Sequence, residues 1–275
     1  MRLDDLRPTG NVDDRRGSGG GFAVGGLGLV GVVIVALLLG VDPSQLLSDS
    51  GVGQAPATSQ PGQPRADDAA YVFARKIVGS AEDVWTPILK TKGVEFTPAT
   101  LTVYDNATPT GCGTGVSAAG PFYCPEDSHI YLDLGFFNQL GDRFGAPGQF
   151  AQAYVVAHEF GHHVQDLMGT MKAHALGTQG AGSDSVRIEL QADCYAGVWA
   201  NRANAQFHIL QDGDVDGGLR AAAAVGDDTL EKQTQGTVVP DSFTHGTSAQ
   251  RMRWFRRGLD GGDMDRCDTF GAESL

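Results

Sequence analysis

The stretch from Phe150 to Met168 sets the strongest limit on this chain, because it places titratable side chains on a segment otherwise built for burial. Phe150, Ala153, Ala157, Phe160, Val164 and Leu167 recur at helical spacing and predict an amphipathic helix with one buried stripe. Inside it stands His158-Glu159-Phe160-Gly161-His162, flanked by the apolar run Tyr154-Val155-Val156-Ala157. A solvated surface face would carry fewer apolar neighbours, so these polar groups need partners inside the fold.

Four residues apart on a helix, His158 and His162 project from one face one turn apart, where both imidazoles can reach a tetrahedral ion. Glu159 is offset around the helix and is placed to take a proton from a water beside that ion. A catalytic zinc site keeps three protein ligands and one open position, so a third ligand is expected on another element. A helix is predicted from Ser183, a good N-cap, to about Ala205, with Ile188, Leu190, Ala192, Tyr195, Ala196 and Trp199 as its apolar face. Within it, Glu189 is the expected third ligand, and Asp193, one turn on, is expected to accept the outer N–H of a ligating histidine.

The other histidines divide by context. His163 points about 100° from His162 and is read as structural. His174 sits in a Gly/Ala-rich connection and is read as a loop histidine. His245, in Phe243-Thr244-His245-Gly246-Thr247-Ser248, precedes a predicted helix from Ser248 to Arg257; it is read as a donor to the oxyanion of peptide hydrolysis, with a structural cap as the alternative. Arg251 on that helix either binds an oxyanion or orients nearby loops. Asp212-Gly213-Asp214-Val215-Asp216-Gly217 looks like the start of a calcium loop, but position twelve is Ala223 where a bidentate Glu is needed, so calcium is rejected. Those acids are read as N-terminal charges of a helix beginning near Gly218.

Ahead of this region, Phe22 to Val41 is uncharged and long enough to cross a roughly 30 Å hydrocarbon core. It is read as an uncleaved transmembrane helix in preference to a signal peptide. Arg2, Arg7, Arg15 and Arg16 precede it and no Lys or Arg occurs in residues 42–61, so the positive-inside rule puts the N-terminus in the cytoplasm. The predicted organisation is a cytoplasmic tail (1–21), a membrane span (22–41), a Ser/Gln/Gly/Pro-rich tether (42–66) and one extracytoplasmic domain (67–275). Outside the cytosol, the four cysteines become disulfide candidates: Cys112 with Cys124 across a Gly-rich loop, and Cys194 with Cys267 by exclusion. The balance of 33 acidic to 20 basic residues shows no basic patch, which argues against a nucleic-acid partner.

Helix periodicity beginning at Tyr71, with short strands at Leu101–Tyr104 and His129–Leu134, predicts an α+β, mainly helical domain. Tyr154 to Gln165, Ser185 to Trp199, Val238 to Phe255 and the segment Gly120-Pro121-Phe122-Tyr123-Cys124-Pro125 together resemble the bacterial family of neutral zinc metallopeptidases. That resemblance implies a zincin-like, gluzincin-type domain with a zinc ion (Zn2+) held by His158, His162 and Glu189. It also implies a helix beneath a small sheet and an edge strand for a peptide or protein substrate, for which His129–Leu134 is the candidate. The reading is a membrane-anchored zinc endopeptidase; the alternatives are a zinc-stabilised scaffold in cell-envelope assembly and a zinc hydrolase acting on another amide, such as a wall crosslink.

Overall fold

The computed structural model describes residues 1–17 and 69–275. The expected membrane span at 22–41 and the tether at 42–66 lie outside the described residues, among which no helix is long and apolar enough to cross a membrane. The elements in chain order are β1 (Val12–Asp14), α1 (Ala69–Thr91), β2 (Thr100–Val103), β3 (Ala107–Thr110), β4 (Gly113–Val116), β5 (Phe122–Cys124), β6 (His129–Leu132), α2 (Phe136–Asp142), α3 (Gln149–Leu167), α4 (Thr170–Ala173), α5 (Asp184–Phe207), α6 (Asp214–Ala224), α7 (Asp227–Gln235) and α8 (Ser248–Gly261). The architecture is α+β and predominantly helical, as periodicity indicated.

The helix predicted around the histidines is α3, and the one predicted from Ser183 is α5, whose N-cap Ser183 accepts from the Val186 N–H. Thr247 and Gln250 close a capping box at the start of α8. The acids at 214 and 216 fall in the first turn of α6, which begins at Asp214, four residues earlier than predicted. Both expected cysteine pairs are bonded, Cys112 to Cys124 and Cys194 to Cys267.

Two expectations are corrected. β6 is not an edge strand: the sheet runs β1-β2-β6-β5, so β6 is paired on both sides and the edges are β1 and β5. β5 is antiparallel to β6 while β1, β2 and β6 are parallel. Its Gly- and Pro-rich surroundings hide β5 from a pattern search, yet Tyr123 ties it to α3 through Asp166. Secondly, the N-terminal segment is not separate from the domain. Residues 1–17 are folded onto it, with Val12–Asp14 in register with Leu101–Val103, so the folded unit begins before residue 67.

The core joins α1, α3, α5 and α8 to the inner face of the sheet, with Trp85, Trp199, Trp254, Phe150, Phe160 and Phe255 all under 2 % exposed. This packing fixes the relation of α3 to α5, on which the site depends.

Candidate metal centre

α3 presents His158, Glu159 and His162 at its buried surface, and α5 brings Glu189 against them. Close approach of the two helices requires Gly161. A β-carbon there would stand 2.9 Å from the Ala192 carbonyl oxygen and 3.2 Å from Ala192 Cα, closer than a side chain tolerates. The fourth residue of the motif therefore serves helix contact.

The donor atoms converge. His158 Nε2 lies 3.1 Å from Glu189 Oε2, His162 Nε2 lies 3.4 Å from Glu189 Oε1, and one ligand atom from each of the three residues falls within 4.8 Å of the others. Bonds of about 2.0–2.1 Å in tetrahedral array place donors about 3.3–3.4 Å apart, and each imidazole stands at about that separation from a Glu189 oxygen, His158 from Oε2 and His162 from Oε1. The charge of the donor set agrees. His158 stands between two carboxylates, with Asp193 Oδ1 2.9 Å from Nδ1 and Glu189 at Nε2. Burial acts to lower the His158 pKa, but Asp193 and Glu189 overcome it and push the value up to about 10. The protonated ring is itself the cation between the two carboxylates, with Arg251 Nη2 3.4 Å away, and an ion held at Nε2 would take the place of that proton.

Each histidine is oriented from behind. Asp193 is buried and bonded by Tyr154 Oη–H, by Arg251 Nε at 2.8 Å to Oδ2 and by Arg251 Nη2 at 3.0 Å to Oδ1. Desolvation would raise its pKa, but the Arg251 guanidinium and His158 hold it below the ordinary carboxylate value. Arg251 takes neither of the two roles expected of it as its main one: it is buried on Asp193, behind His158.

His162 has a neutral support. Its Nδ1 lies 2.8 Å from Gln165 Oε1, while Gln165 Nε2 donates to the Ile188 carbonyl at 2.8 Å and to Gln191 Oε1 at 3.0 Å. Gln191 Nε2 donates in turn to the Cys267 carbonyl at 3.1 Å. A backbone carbonyl can only accept, so every bond in this chain has one possible direction. Gln165 oxygen must accept from His162, which puts the proton on Nδ1 and leaves the Nε2 lone pair facing the site.

Glu159 is 7 % exposed, and among the described residues no hydrogen bond occupies its carboxylate. Burial raises its pKa, with the two histidines acting against that. A carboxylate shifted upward and left unbonded beside the donor triangle has the chemistry of a general base.

His245 lies at the surface, with half of its side chain exposed. Asp227, at the start of α7, organises its loop: Oδ2 accepts from the N–H groups of Thr244, His245 and Gly246 at 2.7–2.8 Å, and Oδ1 lies 3.1 Å from His245 Nδ1. Gly246 stands against Val186 and Leu190 of α5, which sets the loop on either side of Glu189 along that helix. Burial works to lower the His245 pKa, but its exposure weakens that effect and the Asp227 carboxylate raises it.

Two further histidines, His163 and His174, lie outside the donor set. His163 is fully buried, with Nε2 2.7 Å from the Thr97 carbonyl and Nδ1 3.1 Å from Tyr123 Oη. His174 stacks on Phe270. Asp227, Gln165, Gln191 and Tyr154 were not singled out in the sequence. Only Gln165 left a usable sign, its position three residues after His162 on the same helix.

The comparisons with known proteins agree with this geometry. The chain is 45 % identical to the Escherichia coli K12 protein YpfJ over 287 aligned positions, covering 98 % of this chain and 99 % of that one. It is 43 % identical to Rv2575 of Mycobacterium tuberculosis H37Rv, covering 87 % and 86 %, and equally to Mb2605 of Mycobacterium bovis. All three relatives carry the description "uncharacterized". No solved structure matches. A family profile matches residues 1–270, nearly the whole sequence, and so the chain belongs to the family described as "Putative neutral zinc metallopeptidase".

Proposed function

We propose that this protein is a zinc-dependent endopeptidase in which His158, His162 and Glu189 hold the ion and Glu159 is the general base. The observation that carries this reading is the convergence of three donors beside one buried, unbonded carboxylate. When bound, zinc makes a water acidic near neutral pH and polarises the carbonyl to be attacked.

The protein's own groups account for the rest. Glu159 takes the proton of the attacking water and passes it to the leaving amine. His245, with Nδ1 committed to Asp227, offers Nε2–H to the oxygen that gains charge, and the carboxylate beside it favours the protonated ring. Asp193 with Arg251, and Gln165 with Gln191, keep both ligating rings from turning. β5, an edge strand among the described residues and joined to α3 through Tyr123 and Asp166, is the strand on which an extended peptide would pair. Two disulfides support an extracytoplasmic setting. Attachment to a membrane rests on the apolar stretch 22–41 alone.

The test is cleavage of a peptide library by the purified full chain. Chelation should abolish cleavage and zinc should restore it. Glu159→Gln should keep its zinc and lose about 10²–10⁴-fold in turnover. Zinc bound stoichiometrically with no peptide cut would favour the scaffold reading, and wild-type turnover in the Gln variant would remove Glu159 from its role.

A further inference from the structure

The N-terminal arm is built into the domain. Its backbone bonds to three separate parts of the fold: Arg2 N–H to the Ile209 carbonyl at 2.8 Å, Thr9 N–H to the Arg75 carbonyl at 2.9 Å, and Arg15 N–H to the Val103 carbonyl at 2.7 Å. Leu6 and Thr9 are buried. The seat on α1 is shaped for it: at Gly79 a β-carbon would collide with the Arg7 carbonyl oxygen and stand 2.9 Å from the Thr9 nitrogen.

Glu82, one turn further along α1, is 6 % exposed, and its carboxylate is partnered by the arm. Thr9 Oγ1 donates to it at 2.6 Å, Asn11 Nδ2 lies 3.4 Å away and Arg7 Nη2 lies 2.9 Å away. The arm thus supplies the partners of this buried carboxylate, and its backbone lies directly on α1 at Gly79. The chain also leaves and returns at one corner, since the Arg16 guanidinium lies 4.6 Å from the centre of the Tyr71 ring.

We propose that residues 1–17 are a permanent strand of this domain and share its compartment. Hydrogen bonds of a sheet cannot pass through a bilayer whose apolar core is about 30 Å thick. Residues 17 and 69 therefore lie on the same side of any membrane, whatever the sequence between them does. In that sequence only 22–41 is apolar over a spanning length, which excludes the single-pass arrangement with a cytoplasmic tail. The arginines that pointed to the cytoplasm are used within the fold: Arg7 by Glu82 and Asp83, Arg15 by Asp13 and Thr108, and Arg16 by Asp14.

All four native cysteines are in disulfides, so an introduced cysteine is the only free thiol. Full-length Gly10→Cys, where a β-carbon meets nothing within 4 Å, and Asp5→Cys, also exposed, report on the arm; Glu95→Cys reports on the domain. Spheroplasts are treated with a membrane-impermeant maleimide before and after lysis. The expected result is equal labelling of all three before lysis. Labelling of all three only after lysis keeps the shared compartment and instead overturns the extracytoplasmic placement of the peptidase. Glu95→Cys labelled before lysis, with both arm positions labelled only after it, overturns the proposal.

Discussion

The two candidate histidine ligands sit one turn apart on the same helix, yet the fold holds them by opposite means. Behind His158 stands a buried ionic cluster, Asp193 with Arg251 and Tyr154. Behind His162 stands an uncharged relay of two glutamine amides ending on a backbone carbonyl. The ionic support sets a carboxylate on the ring and raises its basicity, while Arg251 balances that carboxylate's charge. The amide relay brings direction, because it fixes one tautomer without placing another charge in the interior. The difference predicts that damage to the first side is felt in folding and metal binding together, whereas damage to the second is felt chiefly in metal binding.

The largest effect is expected from Asp193→Ala, which leaves the Arg251 guanidinium buried without its carboxylate. Loss of one partner of a buried pair costs about 3–5 kcal/mol, so chemical denaturation should show a stability drop of that order alongside loss of zinc. A variant that loses zinc at full stability would deny the ionic cluster its structural part.

Opening the Cys194–Cys267 disulfide should rank next. The cysteines are 73 residues apart, and closing a loop of that length is worth about 4 kcal/mol on chain-entropy grounds, commonly less in practice. Because the Cys267 carbonyl ends the amide relay, reduction should also speed zinc release, read by transfer to a chromogenic chelator. Unchanged release after verified reduction would cut the disulfide out of the relay.

Gln165→Leu removes the acceptor for His162 Nδ1 and should weaken zinc binding by about 10–100-fold. Gln165→Glu sharpens the comparison, since it keeps the acceptor and adds the charge that this side lacks. It should retain zinc better than the Leu variant although both lose the donor to the Ile188 carbonyl, and equal loss in both would show that this donor, not the acceptor, matters at this position.

The smallest effect concerns pH at the His245–Asp227 pair. The His245 pKa is raised in the fold, so its contribution is complete below the ordinary imidazole value of 6.5 and is lost as pH climbs through the raised one. The Asp227 pKa is lowered, despite desolvation acting to raise it, so its contribution is present above 3.8 and is lost as pH falls through the lowered value. The pair therefore acts between those limits. Asp227→Asn should move the alkaline limb of the pH–rate profile toward lower pH, and an unmoved limb would detach His245 from the reaction.

Much of this arrangement was legible beforehand, for reasons that can be named. Helical periodicity marks α3 and α5 because each buries a long stripe, and the acids of α5 stand out because their neighbours are apolar. Glu189 and Asp193 were thus visible as a candidate ligand and its neighbour one turn on. Asp227 was not, since its link to His245 spans a helix and a loop and leaves no spacing to read. The seat of the arm was not legible for a different reason. Its arginines carry the same signal whether they face a cytoplasm or a set of carboxylates, and only the Glu82 seat distinguishes the two. The edge role fell on β6 because β5, the strand that takes the edge, was not read as a strand.

Anomalous scattering at the zinc edge from crystals of the zinc-loaded protein tests the central claim most directly. The account predicts one strong peak within bonding distance of His158 Nε2, His162 Nε2 and a Glu189 oxygen, with the Glu159 carboxylate beside it and unbound to the ion. A peak held by the two histidines with Glu189 turned away, or no peak at this place, would contradict it.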